Sequence, residues 1–250
     1  MKVIIPDIHG QAKTLRVLLD SLDQQGYLQT GSLIFTGDYG DRGPDSRGVH
    51  LMVKSLTEAG TATALLGNHE EMLLLSTRGN RYQWDDGQLW RQNGGGKTID
   101  SYGGSYPDQS RWFRRILDDG VLDWLRGLPL FYEDSDIWCS HAPVSRHPLT
   151  LEVDKSRDSL LWNSPYREGA SEDLFAADLG KRQIVGHVPS FTYNKRDPRF
   201  YPHIIYADTG GWHLTPPELS AIIMEGKKCV GYFTAVEEGV TVFTPREEEE

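Results

Sequence analysis

One pattern that recurs three times constrains this chain most: a short apolar strand, a polar turn and then a helix. Strands are predicted at 3–5, 33–36 and 62–66, at intervals of about thirty residues, and helices at 12–22, 45–56 and 72–75. Strands that alternate with helices favour a sheet with parallel strands, and the ligands of such sheets collect beyond the carboxyl ends of the strands. Since each polar turn directly follows a strand, the repeat predicts an α/β fold with one functional edge.

The second half of the chain predicts further strands without this regular spacing. A hairpin is expected over 128–133 and 137–140, single strands over 183–185 and 204–207, and a closing antiparallel meander over 219–224, 228–234 and 240–243. Residues 77–127, which are rich in Trp and Gly, are interpreted as a mostly helical insertion that covers the site. No linker divides the chain, so we expect one domain over 1–250 with a solvated acidic tail at 247–250.

Side chains that can bind a metal ion directly follow the predicted strands: Asp7, His9, Asp38, Asn68, His141 and His187. Oxygen and nitrogen ligands without a thiolate suit Mn²⁺, Fe or Zn²⁺ at open sites. The carboxylate of Asp38 has two oxygens, so it can bridge two ions. A pair of ions binds and activates a bridging hydroxide, and it stabilises charge on the oxygens of an in-line displacement. The sequence therefore predicts a dinuclear hydrolytic centre.

Three motifs in register carry a family resemblance: Asp7-x-His9-Gly10, Gly37-Asp-x-x-Asp-Arg-Gly43 and Gly67-Asn-His-Glu70. They resemble the signature of the PPP family of metal-dependent serine/threonine protein phosphatases, within the calcineurin-like metallophosphoesterases. Later segments extend the resemblance to the bacterial and phage branch, namely Leu128-Pro-Leu130, His141-Ala142, Trp162-Asn163, Gly186-His187 and Asp208-Thr-Gly210. The resemblance implies a sandwich of two mixed β-sheets flanked by helices, which replaces the single parallel sheet suggested by the repeat.

The resemblance also implies a role for each motif residue. One metal ion would be held by Asp7, His9 and Asp38, and the other by Asp38, Asn68, His141 and His187. Mn²⁺ is the expected metal, with Fe, Zn²⁺ and Ni²⁺ as alternatives. His69 would be the general acid that protonates the leaving group, and Asp41 would hold its ring. Arg42 and Asn68 would contact the substrate phosphate.

The chain departs from the family pattern at two positions. Pro6 stands where the first motif usually begins with glycine, and proline fits the extended end of a strand. Ser164 stands directly after Trp162-Asn163, where the bacterial pattern has an arginine, so Arg167 becomes the candidate for a second phosphate-binding arginine. A further segment, Gly96-Lys97-Thr98, is similar to the end of a P-loop. Arg91 occupies a position that this loop requires to be glycine, so we treat the match as coincidental.

Charge and hydropathy narrow the classes of partner. The formal net charge is −10 and no block of Lys or Arg is present, which argues against a nucleic-acid partner. No apolar run approaches the ~20 residues of a membrane helix. The first predicted strand begins at Lys2, which leaves no room for a signal peptide. We therefore expect a cytoplasmic monomer with no membrane partner.

The leading hypothesis is a protein phosphatase that hydrolyses phosphoserine and phosphothreonine in phosphoproteins or phosphopeptides, with phosphotyrosine left open. The alternative is a dinucleoside polyphosphate hydrolase, such as a symmetrical Ap4A hydrolase, which shares the same motifs. A cyclic-nucleotide or polynucleotide-end phosphoesterase is a third hypothesis, weakened by the missing basic patch. A non-catalytic binding scaffold belongs to another class, and it is disfavoured because no predicted metal ligand is missing.

Overall fold

The computed structural model describes residues 1–30, 33–77, 85–104, 110–145, 152–164, 179–190, 197–211 and 214–244. Its strands are β1 (Lys2–Ile5), β2 (Leu33–Phe35), β3 (Ala62–Ala64), β4 (Phe131–Glu133), β5 (Ile137–Ser140), β6 (Arg182–Val185), β7 (Arg199–Phe200), β8 (Ile204–Tyr206), β9 (Leu219–Glu225), β10 (Lys228–Val236) and β11 (Gly239–Phe243). Its α-helices are α1 (Ala12–Gln24), α2 (Ser46–Glu58), α3 (Asn68–Ser76), α4 (Asp85–Trp90), α5 (Gly96–Ser101), α6 (Ser110–Asp118), α7 (Val121–Arg126) and α8 (Arg157–Trp162). A 3₁₀ turn covers Tyr27–Thr30, and a π-helical turn over Arg91–Gly95 joins α4 to α5.

The strands form two mixed sheets, as the family resemblance implies. The first sheet has the order β11-β10-β9-β1-β2-β3, in which β1, β2 and β3 are parallel and β9, β10 and β11 are antiparallel. The second sheet has the order β4-β5-β6-β8-β7, in which β5, β6 and β8 are parallel and the edge strands run antiparallel. The single parallel sheet suggested by the repeat is therefore corrected, because local periodicity does not determine which strands share a sheet.

Alternating side chains of β1 pack into two separate cores. Ile4 packs in a buried cluster with Ile34 of β2 and Ile184 of β6, which joins the two sheets. Val3 and Ile5 point to the opposite face and pack in the cluster that contains the apolar residues of α1 and α2. Since successive side chains of a strand point to opposite faces, β1 is covered on both sides. Burial on both faces explains why the sequence of β1 is a continuous apolar run.

Helix α3 differs from its expected position. The sequence suggested a polar turn followed by a helix from residue 72, whereas α3 begins at Asn68. Gly67 has an extended backbone (φ −100°, ψ 169°), and its N–H donates to the Glu70 side chain at 3.2 Å. An acceptor one turn into a helix satisfies an N–H group that has no partner inside the helix. The Asn-His-Glu motif therefore lies in the first turn of α3.

Helices α4 to α7 lie between α3 and β4, in the part of the chain interpreted from sequence as a helical insertion. The acidic tail at 247–250 lies outside the described residues, as does Arg167. Within the described residues, no helix combines the length and the apolar character needed to cross a bilayer.

Candidate metal centre and catalytic site

The first two motifs meet beyond the ends of β1 and β2. The two strands pair in register and end at the same level. Beyond that level, the backbone N–H groups of Ile8 and His9 donate to the carbonyl oxygen of Asp38 at 3.0 and 2.9 Å. These hydrogen bonds hold the Asp7 loop against the Asp38 loop. The repeated strand and turn of the sequence thus place two carboxylates side by side.

Backbone strain is concentrated at the motifs. Among the described residues, the non-glycine residues in the left-handed region are His9 (φ 45°), Asp38 (54°), Asp41 (67°), Arg42 (64°) and His187 (62°). This conformation costs on the order of 1–3 kcal/mol per residue and persists where the surrounding structure fixes it. Such residues cluster at functional sites in proteins. The strained positions coincide with residues that the sequence singled out.

His9 and His141 each direct one ring nitrogen into the site. Nδ1 of His9 donates to the carbonyl oxygen of Gly40 at 2.9 Å, and Nδ1 of His141 donates to that of Thr36 at 3.0 Å. A ring with its proton on Nδ1 keeps a lone pair on Nε2, the atom that can bind a metal ion. In His9 this lone pair accepts from Nη1 of Arg42, so a metal ion would compete with Arg42 for it. Nε2 of His141 lies 3.0 Å from Oδ1 of Asn68, so two acceptor atoms face each other. A cation would stabilise this pair.

Asp38 lies between two sets of donor atoms. Its Oδ2 is 3.5 Å from Nε2 of His9, and its Oδ1 is 3.4 Å from Nε2 of His141. Two groups of side chains have ligand atoms within 4.8 Å of one another, namely His9, Asp38 and His69, and Asp7, Asp38 and His141. Asp38 belongs to both groups, so its two oxygens face different neighbours.

The second sheet contributes His187 after β6 and Asp208 after β8. The N–H of His187 donates to Oδ1 of Asp7 at 3.0 Å, and its ring centroid lies 5.0 Å from that of His141. Oδ1 of Asp208 accepts from the N–H of Gly210 at 2.7 Å, whereas Oδ2 is buried without a hydrogen-bond partner among the residues that the structure describes. Asp208 was quoted from sequence as part of a motif and was not assigned a role. Its unpaired oxygen adds negative charge beside Asp7.

The charges of the site fit divalent cations. Burial, and then the charge of Asp208, raises the pKa of Asp7. Burial, and then the charges of Asp7 and Glu70, raises the pKa of Asp38. Burial also lowers the pKa of His9 and His141, so these imidazoles are neutral. Metal ions bind ionised carboxylates and neutral imidazoles, and they relieve the repulsion between buried carboxylates.

His69 and Asp41 form a hydrogen-bonded pair next to these donors. Nδ1 of His69 lies 2.7 Å from Oδ2 of Asp41, while Nε2 lies 3.8 Å from Oδ2 of Asp38. Burial raises the pKa of Asp41 to about 7. Burial, and then the positive charges of Arg42 and His187, lowers the pKa of His69. The contact with Asp41 fixes the plane of the imidazole ring and leaves Nε2 facing the site.

Arg42 brings a positive charge among the buried carboxylates. Its side chain is half-buried, and Nη1 donates to Nε2 of His9 at 2.7 Å. Its charge opposes the burial that raises the pKa of Asp7, Asp38 and Asp208. A guanidinium in this position can contact phosphate oxygens through two N–H groups at once.

Sequence reasoning missed several residues that organise the site. Glu70 was quoted in a motif without a role, yet its carboxylate accepts from the N–H groups of Asp38 at 2.7 Å and Tyr39 at 2.9 Å. Trp90 and Thr98 both donate to the carboxylate of Asp41. No local signal marked Trp90, because tryptophans occur throughout that segment. Thr98 stood in the false P-loop match, which drew attention to it for a different chemistry.

A family model described as calcineurin-like phosphoesterase matches residues 3–228 of this chain. The chain belongs to the calcineurin-like phosphoesterase family. The family is named for phosphoesterase activity, and membership implies divalent metal ions. The buried His and Asp groups around Asp38 are candidate ligands for such ions.

Two curated relatives of this calcineurin-like phosphoesterase are named as dinucleotide hydrolases. A symmetrical bis(5'-nucleosyl)-tetraphosphatase from Ralstonia nicotianae is 33% identical over 149 residues, which are 60% of this chain and 44% of the relative. The chain thus spans less than half the length of that relative. An asymmetrical bis(5'-nucleosyl)-tetraphosphatase from Oceanobacillus iheyensis is 24% identical over 226 residues, which are 84% of both chains.

Solved structures share the fold of this calcineurin-like phosphoesterase at low sequence identity. A candidate diadenosine tetraphosphatase has a TM-score of 0.55 at 19% identity, with 98% of this chain and 94% of that chain covered. A serine/threonine protein phosphatase from Saccharomyces cerevisiae has a TM-score of 0.52 at 16% identity, with 99% of this chain and 81% of that chain covered. At such identities the likeness extends to the fold alone.

Proposed function

We propose that this calcineurin-like phosphoesterase hydrolyses a phosphoanhydride bond of dinucleoside polyphosphates such as diadenosine tetraphosphate. The observation that carries the proposal is the sequence similarity to two relatives named for this activity, one of them along 84% of the chain. The sequence alone placed the protein phosphatase first and the dinucleoside polyphosphate hydrolase second, and the proposal reverses that order. The motifs themselves are shared by both, so they do not separate an anhydride from a phosphoprotein substrate.

An apolar groove beside the site supports a substrate with a large planar group. The groove has a volume of about 370 Å³. Its lining is mainly apolar and also contains three charged side chains: Met72, Leu75, Leu89, Leu161 and Trp162, with Glu71, Arg157 and Asp158. Met72 lies one turn after His69 on α3, and the Trp162 ring centroid lies 6.4 Å from that of His187. Ligand pockets of this size are mostly apolar, and nucleobases stack on aromatic side chains. A nucleoside offers such a base, whereas a phosphoserine side chain does not.

The proposed roles follow from the contacts in the site. Asp7, His9 and Asp38 would hold one divalent cation, and Asp38, Asn68, His141 and His187 would hold the other. Bound cations supply Lewis-acid activation of water and stabilise charge on phosphate oxygens. Arg42 would bind phosphate oxygens of the substrate. Nε2 of His69 would donate a proton to the departing phosphate oxygen, a step that requires the doubly protonated imidazole, which an ionised Asp41 at Nδ1 favours. We propose Mn²⁺ as the native metal.

Phosphoprotein hydrolysis is the second candidate, and the three PPP-type motifs favour it. The two candidates are separated by turnover with Mn²⁺ on diadenosine tetraphosphate, on a phosphoserine, phosphothreonine and phosphotyrosine peptide panel, and on a bis-aryl phosphodiester. We expect kcat/KM to be highest for the dinucleotide. Faster turnover of any phosphopeptide would overturn the proposal. Product analysis adds the cleavage position, since ADP alone marks a symmetrical cut and ATP with AMP an asymmetrical one.

A further inference from the structure

The carboxylate of Asp41 is enclosed by donors from a single helical segment. Nε1 of Trp90, at the end of α4, lies 3.0 Å from Oδ1 and 2.9 Å from Oδ2 of Asp41. Oγ1 of Thr98, in α5, lies 2.5 Å from Oδ1 and accepts from the N–H of Asp41 at 2.9 Å. Trp90 and Thr98 are buried. The carboxylate that contacts His69 is thus held from the opposite side by two neutral donors.

The turn between these two residues contacts Arg42. The carbonyl oxygen of Gly94 accepts from the N–H of Arg42 at 3.2 Å. Gly94 has φ +107°, and a Cβ at this position would lie 2.7 Å from Cγ of Arg42 and 2.9 Å from its backbone nitrogen. Glycine is therefore required by both the conformation and the close approach. One segment thereby contacts two consecutive site residues, Asp41 and Arg42.

We propose that the segment from Trp90 to Thr98 is a positioning element for the proton donor, in which Trp90 and Thr98 orient Asp41 and through it His69. This inference rests on the proposed role of His69 and deepens it. Trp90 and Thr98 do not reach the substrate. They act through Asp41, because a carboxylate that accepts from three donors has one fixed orientation, and the His69 ring then points Nε2 at a fixed place in the site.

The charges around Asp41 support this role. Burial raises the pKa of Asp41 to about 7, and the hydrogen bonds from Thr98 and Trp90 oppose this effect, followed by the charge of Arg42. The other titratable groups facing Asp41 are His69 and Glu70 on α3. Hydrogen bonds to the ionised form of a carboxylate lower its pKa. These hydrogen bonds therefore favour the ionised carboxylate that accepts from His69.

Thr98→Val is the test, because valine keeps the volume of threonine and removes the hydroxyl. Hydrogen bonds to charged groups are stronger than those between neutral groups, so loss of this one should lower kcat on phenyl phosphate about 10- to 100-fold. KM should change little. The loss on 4-nitrophenyl phosphate should be smaller, because nitrophenolate leaves more readily without a proton. Thr98→Ser restores the hydroxyl and should recover most of the rate.

Ser101→Ala is the matched control, because Ser101 lies one turn further along α5 and its hydroxyl does not contact Asp41. That hydroxyl accepts from the N–H of Arg47 and donates to the backbone carbonyl oxygen of Thr98, which Ser101→Ala leaves in place. It should leave both rates unchanged. The ¹H NMR signal of the Nδ1 proton of His69, assigned by its loss in His69→Asn, should broaden or shift in Thr98→Val and not in Ser101→Ala. Equal losses on both substrates in a stably folded Thr98→Val would overturn the inference.

His69→Asn, measured in parallel, separates this inference from the proposed function. If His69→Asn loses rate selectively on phenyl phosphate and Thr98→Val does not, the positioning role alone is wrong. If His69→Asn slows both substrates equally, the donor role is wrong and the positioning role with it. The outcome of the dinucleotide assay affects neither reading, because both aryl phosphates report on the leaving group and not on a nucleoside.

Discussion

Asp38 contributes both its backbone and its side chain to the site. Its carbonyl oxygen accepts from the loop after β1, its N–H donates to Oε2 of Glu70 at 2.7 Å, and its Oδ1 accepts from the N–H of His69 at 3.0 Å. These contacts join three separate motifs at one residue. The same hydrogen bonds hold the backbone of Asp38 in the left-handed region and orient its carboxylate.

His69→Asn tests the proton-donor role directly. We expect kcat to fall roughly 10²–10⁴-fold for substrates with poor leaving groups and much less for 4-nitrophenyl phosphate, because general acid catalysis matters most where the leaving group is basic. Steady-state kinetics on phenyl and 4-nitrophenyl phosphate measure the difference. The exposed His203 provides a control, and His203→Asn should retain both rates. Equal losses on the two esters would remove the donor role.

Residues within the motifs could be proposed from sequence, whereas their supports could not. Asp7, His9 and Asp38 stand at the ends of recognisable strands, so type and spacing pointed to them. The partners of Asp41 lie 49 and 57 residues further along the chain, at Trp90 and Thr98. Nothing local in a Trp or a Thr indicates a hydrogen bond over that separation, since the tertiary packing alone brings the groups together.

Among the elements, the strand ends set the spacing of the site. At the end of β6, Gly186 approaches Asp7 so closely that a Cβ would lie 2.1 Å from Oδ1 of Asp7 and 2.9 Å from Oγ1 of Thr36. The absence of a side chain at Gly186 therefore lets the two sheets meet at the carboxylate. The distance between the sheets at this edge therefore depends on one residue that carries no chemistry itself.

Gly186→Ala should displace Asp7 and weaken binding of Mn²⁺ by about 10–100-fold, the range typical for disturbed supports of metal ligands. Isothermal titration with Mn²⁺ measures the effect. Gly239→Ala is the matched control, since a Cβ at Gly239 meets nothing within 4 Å. Unchanged Mn²⁺ affinity in a folded Gly186→Ala protein would contradict the role given to Asp7.

The groove between α3, α4 and α8 gives a prediction about substrate class. Trp162→Ala should raise KM for diadenosine tetraphosphate about 5- to 100-fold, because stacking of a base on an aromatic ring is worth roughly 1–3 kcal/mol. KM for 4-nitrophenyl phosphate should stay unchanged, which checks that His187 beside Trp162 is undisturbed. Phe113→Ala removes another exposed aromatic ring and should affect neither substrate. If the KM for diadenosine tetraphosphate is unchanged in Trp162→Ala, the base of the substrate does not stack on Trp162.

The elements were easier to predict from sequence than their arrangement. The regular alternation located α1, α2 and the parallel strands β1 to β3, because periodicity is a local property. It could not assign β5 and β6 to a second sheet or place β9 beside β1, because Ile137 pairs with Arg182, 45 positions on, and Val3 pairs with Ile223, 220 positions on. The resemblance supplied this information where the physics of the local sequence did not.

At the scale of the whole molecule, the site gathers negative charge inside an acidic protein. The formal net charge is −10, and Asp7, Asp38, Asp41, Glu70 and Asp208 are all buried at one edge of the sheets. Carboxylates buried near one another repel, and divalent cations offset that repulsion. Metal binding is therefore expected to stabilise the fold as well as to support catalysis.

The free energy of unfolding of metal-free protein should fall as pH rises from about 6.5 to 8. Burial raises the pKa of Asp41 and Glu70 to about 7 in the folded state, from 3.8 and 4.5. The folded state therefore binds more protons than the unfolded state, and stability falls as these groups ionise. The buried histidines act in the opposite direction, and their effect fades over about the first pH unit above their unfolded pKa of 6.5. The raised pKa values of Asp7 and Asp38 add to the decrease. The expected decrease is on the order of 1–3 kcal/mol.

Urea unfolding followed by circular dichroism, in chelator and in excess Mn²⁺, measures this dependence. With Mn²⁺ the decrease should vanish or reverse, because the cation binds the ionised carboxylates and competes with protons for them. In Asp38→Asn, the decrease in chelator should be smaller and the stabilisation by Mn²⁺ should be lost, since one buried charge and one ligand are removed together. If metal-free stability instead rises between pH 6.5 and 8, the buried carboxylates are not the dominant charges, and the electrostatic basis for a dinuclear site is lost.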